Sequence, residues 1–117
     1  MKKETGMVRI TKAAGYSLAG LKAAWVSEAA FRQEIIGAAI LVPAGIFLGQ
    51  TGAEMALLAS SPLAIVAVEL LNSGLEAVVD RTGTDFHPLA KQAKDMGSAA
   101  VFVCIVMTVM VWSLILI

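Results

Sequence analysis

The sequence predicts an all-α membrane protein: an amphipathic surface helix followed by three transmembrane helices. Three observations lead there. The chain has 117 residues, of which 58% are hydrophobic and only 15% charged, and its mean hydropathy is +0.80. Apolar runs long enough to cross a bilayer recur along it. The breaks between them hold the turn residues. Three spans of about 20 residues use nearly the whole chain, so the expectation is a single membrane-embedded unit over residues 1–117, with no separate soluble domain. The formal net charge is zero, and no nucleic-acid partner is expected from it. The single cysteine, Cys104, sits in an apolar run without companions and reads as packing. No secretory signal is expected, because an amphipathic segment stands where an uninterrupted apolar region should be.

A short charged lead contains Lys2, Lys3 and Glu4, and Thr5 is placed to cap the first helix. That helix is expected over about residues 6–26. Met7, Ile10, Ala14, Leu18, Leu21 and Trp25 fall within about 80° of arc, with Arg9, Lys12, Tyr16 and Lys22 elsewhere. A basic amphipathic helix with Trp on its apolar side suits the membrane surface; the alternative is a helix packed on other protein. Ser27-Glu28 reads as the next helix start, with Glu28 favoured there by the helix dipole. The first span is expected over residues 29–48. Arg32, Gln33 and Glu34 interrupt it early and belong at headgroup level, and Pro43 is a point for a kink. Gly45 and Gly49 form a GxxxG, a packing signal of low specificity. Gly49-Gln50-Thr51-Gly52 is a turn.

The second span is expected over residues 54–80, with Pro62 in its first half. Its end is the most informative stretch of the chain. At about 100° per residue, Asn72 lies about 60° to one side of Glu69, Glu76 about 20° to that side, and Asp80 about 20° to the other. One stripe therefore carries three carboxylates and an amide, while the other faces are Leu, Val, Ala and Gly. Carboxylates in such a helix are costly and point to function. The connection to the third span holds Arg81, Asp85, His87, Lys91, Lys94 and Asp95, with Thr82-Gly83-Thr84 and Pro88 as helix breakers. The third span, about residues 93–117, carries almost nothing polar, and Trp112 is an anchor for the far interface. Basic residues gather in the N-terminal segment and in this second connection. The positive-inside rule puts both in the cytoplasm and the C-terminus outside.

The polar groups thus converge at the cytoplasmic ends of the spans. Two or three carboxylates on one polar surface suit Mg²⁺, which takes oxygen ligands and keeps waters and substrate phosphates. Glu28 and Glu76 are the best-placed ligands, although a first-turn dipole partner also accounts for Glu28. Glu69, about 10 Å deeper than Glu76, suits a general base, with a structural hydrogen bond between helices as the alternative. Asn72 reads equally as interhelical glue. Lys94-Asp95 fits a nucleotide contact or a solvated pair, and His87 a plain loop histidine. Gly15-Tyr16-Ser17-Leu18-Ala19-Gly20-Leu21-Lys22 is not a P-loop, because Gly20 is followed by Leu21. A proton-coupled transporter also fits a short apolar chain with a membrane-buried Glu, but the carboxylates cluster toward one interface and the third span has no polar lining.

Four stretches carry a resemblance. They are Lys12-Ala13-Ala14-Gly15-Tyr16-Ser17, Glu28-Ala29-Ala30-Phe31-Arg32-Gln33-Glu34, the run from Glu69 to Arg81, and Ala93-Lys94-Asp95-Met96-Gly97-Ser98. Their order and spacing closely resemble the bacterial integral-membrane diacylglycerol kinase family, over nearly the whole chain. Related members phosphorylate undecaprenol. The resemblance implies a homotrimer in the bacterial inner membrane, with sites completed by neighbouring subunits. It implies transfer of phosphate from ATP, with Mg²⁺, to diacylglycerol, giving phosphatidate. It assigns Glu69 as the base and Glu28 and Glu76 as metal ligands. Nucleotide contacts fall on Arg9, Tyr16, Glu28, Glu76, Asp85, Phe86, His87, Lys94 and Asp95. The lipid would meet Arg9, Ala14, Ser17, Trp25, Ala30, Phe31, Arg32, Gln33, Glu34, Glu69, Ser98 and Trp112. Asn72 and Asp80 complete the site.

Overall fold

The computed structural model describes residues 5–83 and 85–117; the charged lead with Lys2, Lys3 and Glu4, and Thr84, lie outside them. The described residues form four helices in order: α1 (Gly6–Ser27), α2 (Ala29–Leu48), α3 (Gly52–Arg81) and α4 (Pro88–Leu116). The last three are each long and apolar enough to cross a membrane, which makes this a multi-pass helical membrane protein. α3 is the central element, with α2 and α4 both packed on it. Its 30 residues span about 45 Å at 1.5 Å per residue, well beyond the roughly 30 Å hydrocarbon layer.

α1 is exposed along almost its whole length, with only Ala24 buried. Thr5 stands at its N-cap position but makes no side-chain cap bond. The chain turns from α1 into α2 at Glu28 alone, which is extended at φ −121° and ψ 109°. Ser27 is still helical and donates its hydroxyl back to the Ala23 carbonyl at 2.7 Å. Arg32 fixes the corner: its Nη1 donates to the carbonyls of Trp25 (2.7 Å) and Val26 (3.2 Å). These are among the last carbonyls of α1, which the helix cannot satisfy itself.

The turn from α2 to α3 is built on small residues. Any side chain at Gly45 would collide with the backbone and Cβ of Leu58, and any at Gly49 with Met55. The GxxxG pair is therefore where α2 comes closest to α3. Thr51 caps α3, its hydroxyl accepting from the Glu54 amide at 3.1 Å. Glu54 reaches back to accept from the Gln50 amide at 3.0 Å, a variant of the capping box.

α4 begins earlier than the polar composition suggests. His87 is its N-cap, with Nδ1 accepting from the Leu89 amide at 3.1 Å, and Pro88 opens the helix. Proline at this first position is pre-organised and sacrifices no hydrogen bond. Lys91, Lys94 and Asp95 consequently ride on the first turns of α4 rather than on a loop. The core is small: Ala24, Phe31, Ala38 and Val66, with Ile35, Val42 and Leu70 against them. Leu58 is fully buried beside Gly45. Large apolar side chains such as Phe47 (86% exposed), Leu71 and Leu114 lie open on the spans, as lipid-facing or subunit-facing surfaces do.

Candidate active site at the ends of α2, α3 and α4

The polar stripe of α3 runs from buried to exposed. Glu69 is 6% exposed and Asn72 9%; Glu76 is half-buried and Asp80 is on the surface. Asn72 Nδ2 donates to Glu76 Oε1 at 3.2 Å, one turn along. Asn72 Oδ1 is buried without a hydrogen-bond partner among the described residues and lies against Gly97 of α4, where a β-carbon would strike it. Only glycine lets α4 approach this closely.

Other carboxylates gather around Glu69. It is near enough to Glu76 and Glu28 to feel their charges, and Glu34 is near enough to feel that of Glu69. Glu34 Oε2 is itself buried without a partner among the described residues. Glu28, Glu34 and Glu76, from the α1–α2 corner, α2 and α3, therefore all lie within electrostatic reach of the buried Glu69. Among the described residues no three His, Cys, Asp or Glu side chains form a cage that could hold a metal ion by themselves. That suits Mg²⁺, which needs only one or two carboxylates when phosphates and waters supply the rest. The hard oxygen donors of Glu28 and Glu76, the latter held by Asn72 Nδ2, are of the kind it takes.

A cavity of about 910 Å³ lies where the end of α3 meets the start of α4, lined from Val78 onward and not by Glu28, Glu34, Glu69 or Glu76. Asp85, Phe86, His87, Lys94 and Asp95, carried over for the nucleotide on the α3–α4 connection and on α4, line it together with Asp80, while Glu28 and Glu76 do not. Lys94 Nζ pairs with Asp80 Oδ1 at 2.6 Å, joining α4 to α3. Lys91 Nζ pairs with Asp95 Oδ2 at 2.6 Å. His87 reaches the cavity while its Nδ1 is engaged in capping α4.

A second cavity, about 590 Å³, lies between α1 and α3. Ser17 and Glu28 line it from the α1 side and Ser73 and Gly74 from α3. Ser73, whose hydroxyl oxygen is buried without a partner among the described residues, is a polar contributor that the carboxylate pattern alone does not reveal. It lies one residue after Asn72, and a helix turns about 100° in that step, so it faces α1 instead.

The remaining predicted residues are distributed unevenly. Arg9 and Tyr16 are exposed on α1, Tyr16 at 72%, and neither lines the larger cavity. Ala14 and Trp25 are also exposed on α1, Ala30 and Gln33 on α2, and Ser98 on α4. Phe31 is buried in the core and Arg32 clasps the end of α1. Trp112 is far from the cluster: its Nε1 donates to the Leu58 carbonyl at 3.1 Å, and Leu58 is about 16 Å along α3 from Glu69.

Carboxylates on and beside a bundle of membrane-length helices, with a lysine-lined cavity further along α3 and α4, define a helical membrane protein with an acidic site near one end of its spans. The sequence profile described as "Prokaryotic diacylglycerol kinase" matches residues 15–116. A protein named Diacylglycerol kinase from Escherichia coli (strain K12) is 49% identical over 112 residues, covering 96% of this chain and 92% of that one. Proteins of the same name from Haemophilus influenzae and Pseudomonas aeruginosa are each 48% identical, covering 96% and 98% of this chain and 95% and 94% of theirs. The chain belongs to the prokaryotic diacylglycerol kinase family.

Proposed function

We propose that this protein transfers the terminal phosphate of ATP to the primary hydroxyl of diacylglycerol, giving phosphatidate and ADP, at the cytoplasmic face of the bacterial inner membrane. The reading rests on family membership and on one observation above all: Glu69, nearly completely buried, lies within electrostatic reach of Glu28, Glu34 and Glu76. A buried carboxylate surrounded by others of its own charge has no good structural justification. It suits a base that takes the proton from an alcohol.

In the direct in-line reaction the lipid oxygen forms a bond to the γ-phosphorus as the bond to the β-phosphate bridging oxygen breaks. The hydroxyl proton passes to Glu69, and the leaving charge departs on ADP. Mg²⁺, held by Glu28 and Glu76, would neutralise phosphate charge. Lys94 neutralises phosphate oxygens from α4, and Asn72 holds Glu76 in place. Arg9 and Tyr16, on α1, and the exposed apolar faces of the spans are accounted for by a homotrimer whose neighbouring subunits complete each site. The whole chain then acts as one membrane-embedded kinase unit, with the N-terminus cytoplasmic and the C-terminus periplasmic.

The test is transfer from labelled ATP in mixed micelles, with diacylglycerol and undecaprenol offered separately, with and without Mg²⁺, beside Glu69→Gln. Labelled phosphatidate that requires both Mg²⁺ and Glu69 is the expected result. Transfer chiefly to undecaprenol moves the protein to another acceptor. No transfer to either from a folded oligomer overturns the reading.

A further inference from the structure

The larger cavity contains a lysine that none of the family motifs includes. Lys91 lines it together with Lys94, Asp80 and Asp95, and its ammonium is held by Asp95 at 2.6 Å. Helix stability does not explain a lysine at this position. Lys91 is the fourth residue of a 29-residue helix, near the positive end of the helix dipole, where a cation is disfavoured. It also precedes its acidic partner by four residues, the weaker order for such a pair. The position does offer proximity to any anion that enters the cavity.

The two ion pairs have the same form. In each, a lysine of α4 rests on a carboxylate, Lys91 on Asp95 and Lys94 on Asp80. All four side chains are between 43% and 65% exposed. Exposed pairs are weak and readily exchanged. Phosphate oxygens are stronger partners than a solvated carboxylate, because several converge on one group. Building on the kinase reading, we propose that Lys91 is a nucleotide-binding residue of this site. Its ammonium leaves Asp95 for a phosphate oxygen of the bound nucleoside triphosphate, alongside Lys94. The Lys91–Asp95 pair is the resting state of that contact, and Asp95 is released to the site when the nucleotide arrives.

The experiment is equilibrium binding of a fluorescent ATP analogue, with Mg²⁺, to the full chain in micelles, for wild type, Lys91→Met and Lys91→Arg. The KM values for ATP and for lipid are measured on the same preparations. Lys91→Met should weaken analogue binding and raise the KM for ATP on the order of tenfold, the scale of one charge-assisted hydrogen bond. The KM for lipid should stay put, and Lys91→Arg should recover most of the loss. An analogue affinity in Lys91→Met within twofold of wild type overturns the assignment, as does an equal loss in the arginine variant. The two readings fail separately. A wild type that binds the analogue but phosphorylates no lipid defeats the kinase reading and still lets the binding series judge Lys91. A wild type that binds no analogue defeats both.

Discussion

The indole Nε1 of Trp112 donates to the carbonyl of Leu58 at 3.1 Å, and that carbonyl is the one Pro62 leaves unpaired. A helix carbonyl normally accepts from the amide four residues on, and proline has no amide hydrogen. Leu58 is fully buried, so water does not repair the gap. α4 repairs it through Trp112, and one turn earlier the Thr108 hydroxyl makes a second contact between the same helices, to the Ser61 carbonyl at 3.1 Å. Trp112→Phe should therefore cost about 1–3 kcal/mol, the penalty for a buried acceptor left unmade. In a Pro62→Ala background the restored amide takes over the Leu58 carbonyl, and Trp112→Phe should cost much less. Thermal unfolding of the four proteins in micelles gives the coupling; equal costs in both backgrounds would separate Trp112 from Pro62.

Gly97 sets the distance between α3 and α4 at the site. A methyl there meets Asn72 Oδ1 and the Leu75 side chain, and overpacking of this kind costs about 1–3 kcal/mol. Gly97→Ala should lower both thermal stability and activity. Gly52→Ala, where nothing lies within 4 Å, should change neither much. Equal behaviour of the two variants would show that the close approach at Gly97 is unimportant.

The base assignment predicts that Glu69→Gln retains assembly and loses kcat by about 10²–10⁴-fold, the usual contribution of a general base. Size-exclusion chromatography in detergent checks the assembly and the labelled-phosphate assay checks kcat. A variant keeping most of the wild-type kcat removes Glu69 from that role.

Arg32 joins the surface helix to the first span. Arg32→Ala frees the Trp25 and Val26 carbonyls, and limited proteolysis should cut the α1–α2 corner several times faster. Arg32→Lys should protect only partly, since an ammonium lacks the planar fork of the guanidinium. No change in the cleavage rate would show that the corner holds without this clasp.

Much of the molecule is legible in the amino-acid order. The helical spacing from Glu69 to Asp80 announces one polar stripe, and Glu69 and Asn72 are indeed its buried members. The apolar runs announce the spans, because length and hydropathy alone decide them. The ends of the helices are less visible. Pro88 reads as a breaker from the sequence, whereas the structure makes it the first residue of α4 behind the capping bond of His87. Thr51-Gly52-Ala53-Glu54 carries a capping signal that the run of turn residues obscures. The tertiary role of Trp112 is illegible, since the anchoring of a tryptophan at an interface and its bond to a carbonyl 54 positions away leave the same local pattern. Ser73 belongs to a different helix face from the carboxylates and so escapes a search along their stripe.

The length of α3 determines how the protein encounters its acceptor. Starting from Gly52, a hydrocarbon layer of roughly 30 Å is used up about 20 residues along the helix, near Asn72. Glu69 then sits just inside the boundary and Glu76 just outside it. On the proposed reaction, a lipid with its hydroxyl at the depth of its ester groups would meet Glu69 without being lifted from the bilayer, while a water-soluble donor would approach from the other side. The search for the acceptor is therefore two-dimensional. Turnover should follow the mole fraction of lipid within the membrane, and adding inert lipid should slow it even when the amount of substrate in the tube is unchanged.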